Sequence, residues 1–127
     1  MPARVVVVHD DATFLDDTVT ALQGAGYDVA GFSQSMAAIE ALQAAAQRVE
    51  ILITRIRFPE GMPHGVSLAL MARRKRPGIK VLFTVQRDMV PHAQEIGEVL
   101  IAPIAADEVV AKVREMLESD SADCPKG

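Results

Sequence analysis

Short apolar runs alternate along the chain with longer stretches in which apolar residues recur every three or four positions, and this rhythm predicts the architecture. Val5-Val6-Val7-Val8 is β-branched without polar alternation, the pattern of a strand buried on both faces. Phe14, Leu15, Val19 and Leu22 follow at helical spacing over residues 13–23, and Gly24 and Gly26 mark the stop. Tyr27 to Phe32 reads as a short strand, after which Met36, Ile39, Leu42 and Ala46 predict a second helical stripe. Ile51 to Thr54 predicts a third, buried strand. A loop with Pro59, Gly61, Pro63 and Gly65 leads into a helix carrying Val66, Leu68, Leu70 and Met71, and Pro77-Gly78 ends it. Val81-Leu82-Phe83 predicts a fourth strand, residues 91–96 a short helix, and Val99-Leu100-Ile101 a fifth strand broken by Pro103. The last helix has Val109, Val110, Val113, Met116 and Leu117 on one face. Five strand-helix units in succession imply a parallel sheet with right-handed crossovers, helices on both faces, and any site at the carboxyl ends of the strands.

A length of 127 residues suits one domain, here expected over residues 1–118, with 119–127 as a polar, disordered tail. Half the residues are apolar and 24% are charged, so the chain is expected to fold by itself. No apolar run approaches the roughly 20 residues of a membrane span, and the N-terminus lacks a signal-peptide pattern, so a soluble cytoplasmic location without membrane contact is expected. Cys124 is the single cysteine, which excludes an internal disulfide and a cysteine-based zinc cluster. A net charge of -4 argues against general nucleic-acid binding. That total conceals a division: residues 1–49 hold six acids and two bases, residues 50–97 four and eight, and residues 98–127 seven and three.

Four strand ends are expected to converge on one crevice: His9-Asp10-Asp11, Arg55, Thr84 and Ala102-Pro103. In order and spacing these positions resemble a response-regulator receiver domain over residues 3–118. The resemblance implies a flavodoxin-like (βα)5 three-layer sandwich with strand order 2-1-3-4-5. In that family an acid pair after the first strand holds Mg²⁺, and an aspartate ending the third strand takes a phosphoryl group from a histidine kinase. A Thr or Ser and a Lys then respond to it. Asp10 and Asp11 match the acid pair, Thr84 the hydroxyl residue, and Pro103 the proline after the lysine. The departures are equally specific: Arg55 stands at the phosphoacceptor position, Ala102 at the lysine, and Val99 at the switching aromatic. The loop from Arg55 to Gly65 is two residues longer than usual in the family. A guanidinium cannot accept a phosphoryl group as a carboxylate does. The chain therefore resembles a degenerate pseudo-receiver, a non-enzymatic, stand-alone module of a two-component phosphorelay acting by protein-protein binding.

Adjacent carboxylates in a partly desolvated crevice repel unless a cation sits nearby. Mg²⁺ would serve, coordinated by Asp10 and Asp11. Arg55 reaching either acid would replace the ion with a fixed charge, so no cofactor is required. Asp10-Asp11 also precedes a helix, where a carboxylate caps free amides. Thr84 reads as a strand-end hydroxyl satisfying local backbone more than as an active switch. His9 reads as a strand-end histidine, because neighbouring strand side chains point to opposite faces and the three polar groups cannot all converge. His64 and His92 fall in loops and read as solvent-facing. Arg73-Arg74-Lys75-Arg76 reads as a solvated helix end favoured by the dipole, and Met36, Met62, Met71, Met89 and Met116 as core or loop fillers.

Partners are then a histidine kinase or a downstream signalling protein. The resemblance places partner contacts, and a possible homodimer, on the face of the fourth predicted helix, fifth strand and last helix, through Val90, Glu95, Val99, Asp107, Glu108 and Lys112. Two alternatives stay open: phosphorylation of a substitute acid, Asp10 or Asp11, and a small flavodoxin-like ligand-binding protein. Against the latter, the turn from His9 to Thr13 has no glycine and two negative charges, a poor phosphate cradle.

Overall fold

The computed structural model describes residues 4–45, 49–55, 65–85, 91, 97–101 and 104–123. These form strands β1 (Arg4–Val8), β2 (Asp28–Phe32), β3 (Ile51–Arg55), β4 (Lys80–Val85) and β5 (Glu98–Ile101). The helices among them are α1 (Ala12–Gly24), α2 (Ser35–Ala45), α3 (Gly65–Lys75) and α4 (Ala106–Asp123). All strand pairs are parallel, in the order β2-β1-β3-β4-β5, as expected for the flavodoxin-like fold.

The central strands β1, β3 and β4 are apolar because both their faces are covered. Val6, Val8, Leu52, Val81, Phe83 and Val85 pack with Ala38 and Leu42 of α2 and Leu68, Ala69 and Ala72 of α3. Val5, Val7, Ile51, Ile53 and Leu82 pack on the opposite side with Leu22 of α1 and Val109, Val113 and Met116 of α4. Successive strand residues thus serve different layers, as the pleat requires.

Three glycines explain local geometry. Gly26 ends α1 at φ +99, with its N–H donating to Gln23 O and that of Tyr27 to Leu22 O, the paired bonds of a Schellman stop. At Gly31 an added Cβ would lie 2.8 Å from Val19 Cγ2, so α1 approaches β2 more closely than a side chain permits. At Gly97 it would lie 2.5 Å from Val81 O, beside the entry to β5.

Some expectations need correction. Met36 is 54% exposed and Leu70 51% exposed, so neither belongs to its helix's core stripe. The small residues Ala38, Ala69 and Ala72 occupy those core positions and let α2 and α3 approach the sheet. The last helix continues through Asp123, five residues into the stretch expected as a tail. Nor is the basic end of α3 wholly solvated. Arg76 donates through Nη1 to Val49 O at 2.8 Å and pairs with Glu50 at 3.3 Å, fastening the helix end to the segment entering β3. Ala46, Met62, His64, Met89, Val90, His92, Glu95, Ala102, Pro103 and Cys124 lie outside the described residues, as do the 56–64 loop and the 92–96 part of the short predicted helix.

Candidate functional site

The carboxyl edge of the sheet collects its polar groups through strand register. Val8 is paired with Thr54 and Arg55 with Thr84, so the ends of β1, β3 and β4 lie side by side. Alternation puts Arg55 and Thr84 on the same face as Ile53 and Leu82, the α1/α4 side. From the end of β3, Arg55 Nη1 donates to Asp10 Oδ1, just beyond β1. Both side chains are about 30% exposed (30% and 28%), so this pair is neither fully solvated nor deeply buried.

Asp11 has a different task. It is the N-cap of α1, with extended φ/ψ of -86 and 109, and its Oδ1 accepts from Thr13 N at 3.0 Å and Phe14 N at 3.2 Å. A carboxylate here satisfies two otherwise orphaned amides and faces the positive end of the helix dipole. The adjacent acids are therefore divided, one holding a guanidinium and the other a helix start.

His9 joins the two. Its Nδ1 accepts from the backbone N–H of Asp11 at 3.0 Å and lies 3.8 Å from Asp10 Oδ1, while the ring lies 4.4 Å from that of Phe14. Because Nδ1 accepts, the neutral ring carries its proton on Nε2. Burial, and then the charge of Arg55, lower its pKa to about 4 against the opposing pull of Asp10 and Asp11. The three side chains do not converge on one point, as expected: Asp10 turns to Arg55 and Asp11 to the start of α1, while His9 meets the backbone of Asp11 and lies 3.8 Å from Asp10 Oδ1. Sequence reading missed this structural role of His9. Its one local signal is an aromatic, Phe14, placed early in the following helix.

Thr84 is buried, and among the described residues its hydroxyl has no hydrogen-bond partner. This corrects the expectation that the group satisfies local backbone. The hydroxyl that does so is that of Thr54, which donates to Arg55 O at 2.9 Å. Among the described residues no three His, Cys, Asp or Glu side chains are grouped so as to hold a metal ion.

The expected partner face is partly committed within the chain. Val99 packs against the α2/α3-side core. Lys112 binds Glu98 at 2.9 Å and Glu115 at 3.4 Å, chiefly the Glu98 bond raises its pKa, and its side chain is 19% exposed. Glu108 Oε1 accepts from Ala105 N at 3.1 Å, reaching back as the acidic half of a capping box. Asp107 is exposed. No helix among the described residues is long and apolar enough to cross a membrane.

Comparison with known proteins agrees with this geometry. No family model matches the chain. It is 29% identical over 119 residues to the response regulator receiver protein CpdR of Brucella abortus (strain 2308), covering 90% of this chain and 96% of that one. Among solved structures, a CheY-like response regulator receiver domain protein from Methanospirillum hungatei JF-1 superposes with a TM-score of 0.79 at 20% identity, covering 97% of this chain and 99% of that one. A response regulator receiver protein from Sinorhizobium medicae WSM419 gives 0.80 at 24% identity, covering 92% and 95%. The receiver domain of the hybrid histidine kinase CckA gives 0.76 at 20% identity, covering 91% and 99%. The chain has the fold of CheY-like response-regulator receiver domains.

Proposed function

We propose that this protein is a receiver-type signalling module of a two-component system that acts by binding other proteins, with its carboxyl edge locked instead of phosphorylated. The observation that carries this reading is Arg55, which ends β3 and donates to Asp10. A carboxylate at the end of β3 would supply an oxygen nucleophile beside the acid pair. A guanidinium has no such lone pair and stays protonated at any physiological pH.

The residues present do not suit Mg²⁺. Asp10 is neutralised by Arg55, and Asp11 spends one oxygen on two α1 amides, so a dication would have to displace the guanidinium and compete with the cap. Mg²⁺ dehydrates reluctantly and favours a near-octahedral set of oxygens, which a fixed positive charge in the crevice opposes. In this reading His9 keeps the loop in shape: its neutral Nδ1 holds the Asp11 amide while Asp11 holds the start of α1. The partner is a histidine kinase or a downstream signalling protein, met at a surface whose shape does not depend on phosphate.

Incubation with acetyl phosphate and Mg²⁺ followed by intact-mass measurement tests this. The mass is expected to stay unchanged. A phospho-adduct mapping to Asp10 or Asp11 would overturn the reading in favour of a substitute acceptor.

A further inference from the structure

The helices on the two sides of the sheet differ in charge. Helix α3 carries Arg73, Arg74 and Lys75 in its last turn and no acid. On the other side α1 carries Asp16 and Asp17 and no base, and α4 carries six acids and two bases. Because α1 packs against α4, Asp16, Asp17 and Asp107 lie on the same side of the sheet. Both helices start at the carboxyl edge, which places Asp16, Asp17 and Asp107 near that edge, whereas α3 ends at the amino edge. The two charge clusters are thus diagonal across the molecule.

These groups are also unspent. Among the described residues Arg73, Arg74 and Lys75 have no ion-pair partner, nor do Asp16, Asp17 and Asp107, in contrast to Arg4, Arg55, Arg76 and Lys112, which all do. Arg74, Lys75 and the three acids are exposed, and Arg73 is half-buried. Leu70, 51% exposed, lies one turn before Arg73 and Arg74 on the same helix, so the basic surface includes an apolar residue that water covers poorly.

We propose that copies of this chain associate head to tail, the basic end of α3 in one copy meeting the acidic flank of α1 and α4 in the next. The surfaces are different patches of one molecule on opposite layers, so the contact is heterologous and builds open chains or rings, not a closed two-fold dimer. Its attraction comes from exposed charges, which are screened beyond a Debye length of about 10 Å at 0.1 M salt. Association is therefore confined to low ionic strength and high protein concentration, with Leu70 adding apolar contact at the junction.

Sedimentation velocity of the full chain at about 20 mM and about 300 mM salt tests this, since the Debye length falls by a factor of about four over that range. The expected result is a mass average that rises with concentration above 13.7 kDa at low salt and returns to monomer at high salt. The charge-reversed variants R73E/R74E and D16K/D17K, with folding checked by circular dichroism, should each be monomeric alone and should associate when mixed, because each then offers the surface the other has lost. A native chain that stays monomeric at low salt, variants that associate alone as the native does, or a mixture that stays monomeric would each overturn the proposal.

Discussion

The two edges of one sheet use ion pairs differently. At the amino edge Arg4 donates to Asp28 at 2.8 and 3.1 Å, joining register partners on β1 and β2, with side chains 38% and 50% exposed. At the carboxyl edge the Arg55–Asp10 pair sits in a tighter setting, with a neutral histidine beside it and the buried hydroxyl of Thr84 on the neighbouring strand. Water can replace either member of the first pair. It replaces the members of the second less well, so removing one leaves its partner poorly solvated. Ion pairs of similar composition therefore fasten a seam at one edge and define a polar site at the other.

Acid should separate the edges most strongly. His9 has a folded pKa of about 4 against 6.5 for an ordinary histidine, so between those values the unfolded chain binds the extra proton. Stability from this group is full above pH 6.5 and is lost as pH falls towards 4. The loss is expected to be about 2 kcal/mol, allowing for the crevice's partial access to water. Urea unfolding at pH 7 and pH 4.5, compared with His9→Gln, measures it, and the variant should show a shallower fall. An identical fall in both proteins would mean that His9 is not held neutral by this site.

Next in size is Asp10→Ala, which leaves Arg55 partly buried and unpaired and should cost about 1 to 2 kcal/mol. Asp11→Ala removes a cap and should cost about 1 kcal/mol. Its signature differs: faster amide exchange in the first turn of α1 with little change around Arg55. Arg4→Ala at the opposite edge should cost less than about 1 kcal/mol, and less still at high salt. If Arg4→Ala proved as costly as Asp10→Ala, the proposed contrast between the edges would fail.

The architecture was legible because β-branched runs such as Val5 to Val8 have no stable place except between two helical layers. Helix faces were less legible in alanine-rich stretches. Met36 and Leu70 drew the predicted stripes towards themselves by size, whereas Ala38, Ala69 and Ala72 occupy the core because close approach matters more there. The end of α4 was misread for a related reason: Ser119 to Asp123 is polar, yet backbone hydrogen bonding extends a helix without an apolar stripe. At the carboxyl edge, residue types nominated Asp10, Asp11 and Arg55. Which acid meets Arg55 depends on packing between β1 and β3 across 45 residues of chain, and a sequence window does not contain that information. The burial of Thr84 and the setting of His9 beside Arg55 likewise depend on residues distant in sequence.

The central claim is that Arg55 occupies the place of a metal ion beside Asp10. Titration with Mg²⁺ followed by amide nuclear magnetic resonance tests it most directly, with Arg55→Asp as the comparison. The native protein should show no saturable shifts at Asp10 and Asp11, and the variant should acquire them, because a third carboxylate then replaces the guanidinium. Saturable shifts of those amides in the native protein at sub-millimolar Mg²⁺ would contradict the account.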